Sequence, residues 1–205
     1  MPAATPPALA SRPAPALALP PDAVLLTIDM QQGFDGFPGR NNPAVDANAA
    51  ALQAAWRAAG RALWHVRHDS REARSVFRPG LPGNAFRPAT APRPGEPVFA
   101  KSVHSAFIGT GLGERLDREG RRTLVLCGIQ TNYCVATTAR MAGNLGYTAY
   151  VAGDACATFP QRLLSGAEVD AQVAHDLALA ELHGEFATVV ATADVLRVLR
   201  ASAPR

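Results

Sequence analysis

Four short, almost unbroken apolar runs constrain this chain more than any other feature. They are Ala23–Ile28 (AVLLTI), Ala62–Val66 (ALWHV), Thr123–Cys127 (TLVLC) and Tyr147–Val151 (YTAYV). Each is too short for a globular helix, and none shows the clean alternation of a strand with one wet face. Runs of this kind fit strands buried on both faces, as in a parallel sheet. Pro97–Ala100 and Phe186–Val190 read as two further strands. Helical patterns lie between them. Pro43–Ala59 is alanine-rich with Val45, Leu52 and Trp56 as anchors, and reads as a helix starting near Asn42 and stopping at Gly60. Gly111–Glu119 reads as a short helix. Thr131–Leu145 reads as a helix opening on Asn132-Tyr133-Cys134. Ser165–Leu182 reads as a long helix, with Ser165 as N-cap and Glu168 completing a capping box. Thr192–Arg200 closes the chain. Alternating strands and helices predict an α/β fold, a parallel sheet covered on both faces in three α/β/α layers.

The chain has 205 residues, enough for one domain with a sizeable core. Residues 1–21 are Pro/Ala-rich and read as a disordered tail, leaving 22–205 as a single domain. The tail lacks a charged start and an unbroken apolar stretch, so it does not read as a secretory signal. No apolar run approaches the roughly 20 residues of a membrane-spanning helix. The net charge of +3 comes from scattered arginines, which gives no nucleic-acid footprint. Three cysteines, Cys127, Cys134 and Cys156, show neither disulfide-framework nor zinc spacing. Free thiols fit a reducing, cytoplasmic setting.

Parallel sheets bind ligands beyond the carboxyl ends of their strands. Three chemically capable residues fall there. Asp29 follows the first strand, and a carboxylate at that edge can take a proton from a thiol. Lys101 follows the third strand and is the only lysine among 20 Lys+Arg. Lysine is a compact point charge where arginine is a planar fork, so a lone lysine in an arginine-biased chain suggests a site that needs the former. Cys134 lies one turn into a predicted helix, where the field of the N-terminus favours thiolate and free N–H groups can hold an oxyanion. Taken singly, each has an ordinary alternative: a turn carboxylate, a surface lysine, a core cysteine. Phe34, Phe107, Tyr133 and Phe159 lie near the same edge and are candidate substrate-binding walls. The long His68–Pro97 segment, rich in Pro, Gly and Arg, reads as an active-site cover or an oligomer contact, and the arginine-bearing stretch from Arg67 to Arg93 could recognise a carboxylate.

Asp29-Met30-Gln31, Lys101-x-x-x-Ser105-Ala106-Phe107-x-Gly109-Thr110-x-Leu112, Gly128-x-Gln130-Thr131-Asn132-x-Cys134-Val135-x-x-Thr138-Ala139 and Asp154-Ala155 together resemble the isochorismatase-like cysteine hydrolase superfamily. Nicotinamidases, N-carbamoylsarcosine amidases, ureidoacrylate amidohydrolases and isochorismatases belong to it. The resemblance covers about residues 22–200. It implies a six-stranded, Rossmann-like parallel sheet, a catalytic triad at Asp29, Lys101 and Cys134, and a cis peptide ahead of Gln130. It also implies an oxyanion hole from the backbone N–H groups of Gln130 and Cys134. The activity implied is cleavage of a small-molecule C–N amide-type bond through a thioester, without a cofactor, in a homo-oligomer (dimer or tetramer). Nicotinamidases hold a metal through an Asp-x-His pair and a further His. Here the stretch after Pro43 reads Ala-Val-Asp-Ala-Asn-Ala, so no metal is expected. True isochorismatases lack the cysteine, so Cys134 favours amide or ester cleavage. His65 reads as a packed strand residue, and His68 and His104 as loop histidines near the edge. An ester, lactam or ureido hydrolase stays open on the same triad. So do a redox sensor using Cys134 and Cys156 and a binding protein on this scaffold.

Overall fold

A computed structural model describes residues 16–201. The main sheet has six parallel strands: β1 (Val24–Ile28), β2 (Leu63–His68), β3 (Val98–Lys101), β4 (Thr123–Ile129), β5 (Thr148–Ala157) and, after a small hairpin, β8 (Thr188–Val190). The hairpin pairs β6 (Gln161–Arg162) with β7 (Glu168–Val169). The order across the main sheet is β3-β2-β1-β4-β5-β8. The chain winds outward one way from β1 through β3, then the other way from β4. Strand order therefore reverses between β1 and β4, and a crevice opens at that point, where doubly wound sheets bind ligands.

β1 and β4 are buried along their whole lengths, which is why both read as continuous apolar runs. They approach each other closely. Gly128 sits opposite Ile28 at φ 140°, and a Cβ there would lie 1.9 Å from the Ile28 carbonyl oxygen. Only glycine permits that approach.

Helices α1 (Val45–Ala58), α2 (Leu112–Arg118), α3 (Ala136–Asn144), α4 (Ala171–Leu182) and α5 (Thr192–Ala201) flank the sheet. On α1, Val45, Ala49, Leu52 and Trp56 form one buried stripe at helical spacing. Asn42 does not start this helix. Its backbone is left-handed (φ 49°), and its side-chain amide donates to the carbonyls of Asp154 and Cys156, tying the approach to α1 to the end of β5. α1 packs with α5 against β5, while α3 packs with α4.

Three expectations are corrected. The Ser165–Leu182 helix is shorter. Ser165 lies at the tip of the β6–β7 hairpin and Glu168 is a strand residue, so the capping-box pattern is not used. The helix starts after Asp170, whose carboxylate accepts from the Gln172 N–H at 2.7 Å. β5 runs six residues beyond Val151. Gly153 and Asp154, beyond the expected end of this strand, lie inside it, with the Asp154 carboxylate facing out to accept from the backbone N–H and hydroxyl of Thr192 at the start of α5. The end of the tail is also docked. Leu19 is buried in the core, and Arg61 donates to the carbonyls of Leu19 and Pro20. Residues 1–15 lie outside the described residues.

Candidate active site

Asp29 closes β1. It has a left-handed backbone (φ 51°), and its N–H donates to the Val66 carbonyl of neighbouring β2. Its side chain is fully buried, with Oδ2 2.6 Å from Lys101 Nζ and Oδ1 without a hydrogen-bond partner. Lys101 ends β3, on the far side of β2 from Asp29. Its four-carbon stem spans that gap, and its ammonium donates to Asp29 Oδ2, to Cys134 Sγ at 3.2 Å and to His68 Nδ1 at 3.2 Å. An ammonium has three N–H donors, and these three acceptors engage all of them. Because Lys101 only donates, His68 Nδ1 must accept. The His68 proton therefore resides on Nε2.

Cys134 lies in a wide turn, Thr131–Val135, between β4 and α3. The Ile129–Gln130 peptide bond at its start is cis. The turn is pinned to α4 by a 2.8 Å hydrogen bond between Thr131 Oγ1 and His175 Nδ1. The structure thus brings Asp29, Lys101 and Cys134 into direct contact from three strand ends.

The charges do not follow the helix-field expectation. Burial pushes the Cys134 thiol above its ordinary value, the Asp29 carboxylate pushes it further, and Lys101 only partly opposes them. Both upward influences favour the neutral thiol over the thiolate at rest. Burial also opposes the charge on Lys101, but Asp29 and Cys134 outweigh it and its pKa is raised. Burial and the neighbouring ammonium lower the His68 pKa, so this imidazole is neutral at pH 7.

A cavity of about 190 Å³ opens above the sulfur. Asp29, Cys134 and Gln130 form its chemical end; Phe34, Phe77, Tyr133, His68 and His104 form its walls. Phe34 and Phe77 pack at 4.6 Å between ring centroids, and His104 stacks on Tyr133 at 5.6 Å. His104 Nδ1 lies 3.5 Å from Cys134 Sγ. Of the expected aromatic walls, Phe34 and Tyr133 line the cavity. Phe159 stacks on Phe34 at 5.9 Å from outside that lining. Phe107 is elsewhere. The Ala106 N–H donates to Thr138 Oγ1, the chain turns away, and Phe107 stacks on Tyr147 beside a separate cavity.

Sequence reasoning gave little weight to His68 and His104, and missed Phe77. The signal for Phe77 was the long segment after His68, which folds over the site. Gln31 anchors it. Its side-chain oxygen accepts from the His68 N–H at 2.8 Å, and its amide donates to the Asn84 carbonyl at 2.9 Å. Asn84 in turn donates to the Phe77 carbonyl at 2.9 Å. His65 is a buried strand residue, bonded to Thr27 and Glu96.

Asp29, His68 and Cys134 place donor atoms within 4.8 Å of one another, a grouping that can suit a metal ion. Here the Lys101 ammonium bonds to all three, so the site already holds a cation of its own. The Asp46-x-Asn48 stretch is engaged in structure: Asp46 pairs with Arg87, and Asn48 donates to the Asp154 carbonyl.

Among solved structures, an isochorismatase-family protein from Chromobacterium violaceum superimposes with a TM-score of 0.88 at 45% identity, covering 92% of this chain and 99% of that one. The isochorismatase family protein YrdC of Bacillus subtilis is 37% identical over 170 residues, 82% of this chain and 91% of its own length. The ureidoacrylate amidohydrolase RutB of Variovorax paradoxus is 29% identical over 192 residues, 75% of each chain. The Isochorismatase domain profile matches residues 23–194. With that span, this sheet order and these relatives, the chain belongs to the isochorismatase family of hydrolases.

Proposed function

We propose that this hydrolase cleaves a C–N amide-type bond of a small molecule, with Cys134 as nucleophile, Asp29 as proton carrier and Lys101 as the cation that holds both. One observation carries the reading: the ammonium of the sole lysine lies within hydrogen-bond distance of a buried carboxylate and a buried thiol at once. The similarity to an amidohydrolase supports the choice of bond.

The steps follow from the protonation states. Asp29 Oδ1, which has no partner, accepts the thiol proton as Sγ attacks the carbonyl carbon. Lys101 offsets the charge on sulfur. The backbone N–H groups of Gln130 and Cys134 hold the oxyanion. The tetrahedral adduct collapses, the C–N bond breaks, and Asp29 gives its proton to the departing amine. Water then gives a proton to Asp29 while its oxygen attacks the thioester. The second adduct expels the sulfur, which recovers the proton, and a carboxylic acid leaves. No cofactor enters the cycle. Esters, lactams and ureido groups can follow the same path.

A redox-sensor reading has less support, because Cys156 is fully buried within β5. We place the protein in the cytoplasm on its three free thiols. We propose a homodimer or tetramer from the exposed Val173 and Leu177 on α4 and Leu163 and Leu164 on the hairpin. Among the described residues, no helix is long and apolar enough to cross a membrane.

The test is a panel of small amides and esters given to the wild type and to Cys134→Ala. The proposal expects amide turnover that the substitution abolishes. Turnover that survives it, or hydrolysis of esters alone, contradicts the assignment.

A further inference from the structure

We infer that the cavity selects an uncharged substrate whose acyl part is flat and no larger than about one six-membered ring, and that it discriminates against substrates carrying a carboxylate. This rests on the reading of Cys134 as nucleophile, and extends it to the class of acyl group.

Size comes first. Sites for drug-sized ligands run to roughly 300–1,000 Å³, and an apolar cavity of about 150 Å³ holds benzene. The 190 Å³ above Cys134 is close to the latter. Its walls are flat. The tilted Phe34–Phe77 pair and the stacked His104–Tyr133 pair present ring surfaces.

Charge decides the rest. A carboxylate entering this space loses its water and needs a cation to replace it. Among the described residues, Lys101 is the only cation at the chemical end, and its three donors are engaged by Asp29, His68 and Cys134. The Asp29 carboxylate on the cavity wall repels a second anion. His68 is held neutral by burial and by the ammonium beside it. Three of the arginines expected as carboxylate receptors are engaged elsewhere. Arg67 pairs with Asp69, Arg87 with Asp46 and Asp35, and Arg78 donates to the Ala73 carbonyl. Among the described residues, no arginine lines the cavity. A ureido acid or other anionic amide therefore finds no counter-charge here, whereas an uncharged aromatic carboxamide loses little on entry.

The experiment separates binding from turnover. Isothermal titration of Cys134→Ala with benzamide, 4-carbamoylbenzoate and 2-naphthamide reads the cavity without the nucleophile. Benzamide is expected to bind at least roughly tenfold more tightly than either of the others. Equal or tighter binding of 4-carbamoylbenzoate or 2-naphthamide, or no binding of benzamide, overturns the inference. His104→Arg, which adds a cation at the cavity wall, is expected to narrow the gap between benzamide and 4-carbamoylbenzoate. A gap that persists overturns the electrostatic explanation. The wild type is assayed in parallel with the same three compounds. Selective benzamide binding without turnover upholds this inference and refutes the amidase reading; turnover that favours 4-carbamoylbenzoate upholds the amidase reading and refutes this inference.

Discussion

Lys101 Nζ lies 2.6 Å from Asp29 Oδ2, although the two residues close strands that are not neighbours in the sheet. Both side chains are almost wholly buried. A buried pair is costly to assemble, but removing one partner is costlier still, because the other is left uncompensated.

Lys101→Met is therefore expected to destabilise the fold by about 3–5 kcal/mol, read by urea denaturation. Adding Asp29→Asn is expected to recover part of that loss, since no unpaired charge remains. Additive losses in the double variant would show that the pair is not coupled. Lys101→Arg keeps the charge, but its planar fork cannot serve the three acceptors that surround one ammonium. It is expected to lose activity by at least about 100-fold.

The state of the thiol gives a prediction with opposing signs. Burial and the Asp29 carboxylate both raise the Cys134 pKa, so thiolate is scarce at neutral pH and grows about tenfold per pH unit below that pKa. Alkylation of Cys134 by iodoacetamide is expected to climb from about pH 6 to pH 10 without a plateau. Asp29→Asn removes one of the two upward influences. It should make the thiol more acidic and speed alkylation at a given pH, while abolishing hydrolysis. A plateau near neutrality in the wild type, or slower alkylation in Asp29→Asn, contradicts the electrostatic account.

Gly128→Ala tests the architecture at the switch point. Its methyl group would fall 1.9 Å from the Ile28 carbonyl, on backbone whose φ of 140° already disfavours a side chain. Separating β1 from β4 there would also move Asp29 and Cys134 apart. A loss of roughly 3 kcal/mol or more is expected, or failure to fold. Thermal unfolding checks it, and wild-type stability would show that the strands can part freely.

The start of α4 separates what a sequence pattern permits from what the chain does. Asp170→Ala removes the hydrogen bond to the Gln172 N–H and is expected to cost about 1 kcal/mol. Ser165→Ala and Glu168→Ala, which remove the unused capping box, are expected to stay within about 0.5 kcal/mol of wild type. The reverse ranking would restore the longer helix.

The buried strands were legible because burial on both faces leaves only apolar residues, and strand ends then located Asp29, Lys101 and Cys134. Less legible was whatever depends on partners distant in sequence. Ser165 and Glu168 match a cap by spacing alone, but Gly166 between them adopts φ 88°, which a right-handed helix does not allow. Asp154 falls outside the apolar run Tyr147–Val151, and its partner Thr192 lies 38 positions away. Phe107 follows the lysine motif closely, yet beyond the bond between Ala106 and Thr138 it stacks on Tyr147 and lines a different cavity. His68 and His104 became part of the site only once the length of the Lys101 stem and the position of the turn before α3 were fixed in space. The lone lysine was informative because its chemistry, not its neighbours, set it apart.

The most direct measurement is the intact mass of the enzyme, acid-quenched during turnover of an amide substrate. The account predicts an added mass equal to the acyl group, mapped to the peptide bearing Cys134, released by hydroxylamine and absent from Cys134→Ala. Rapid turnover by the wild type with no acyl adduct under single-turnover conditions, together with turnover retained in Cys134→Ala, would contradict it.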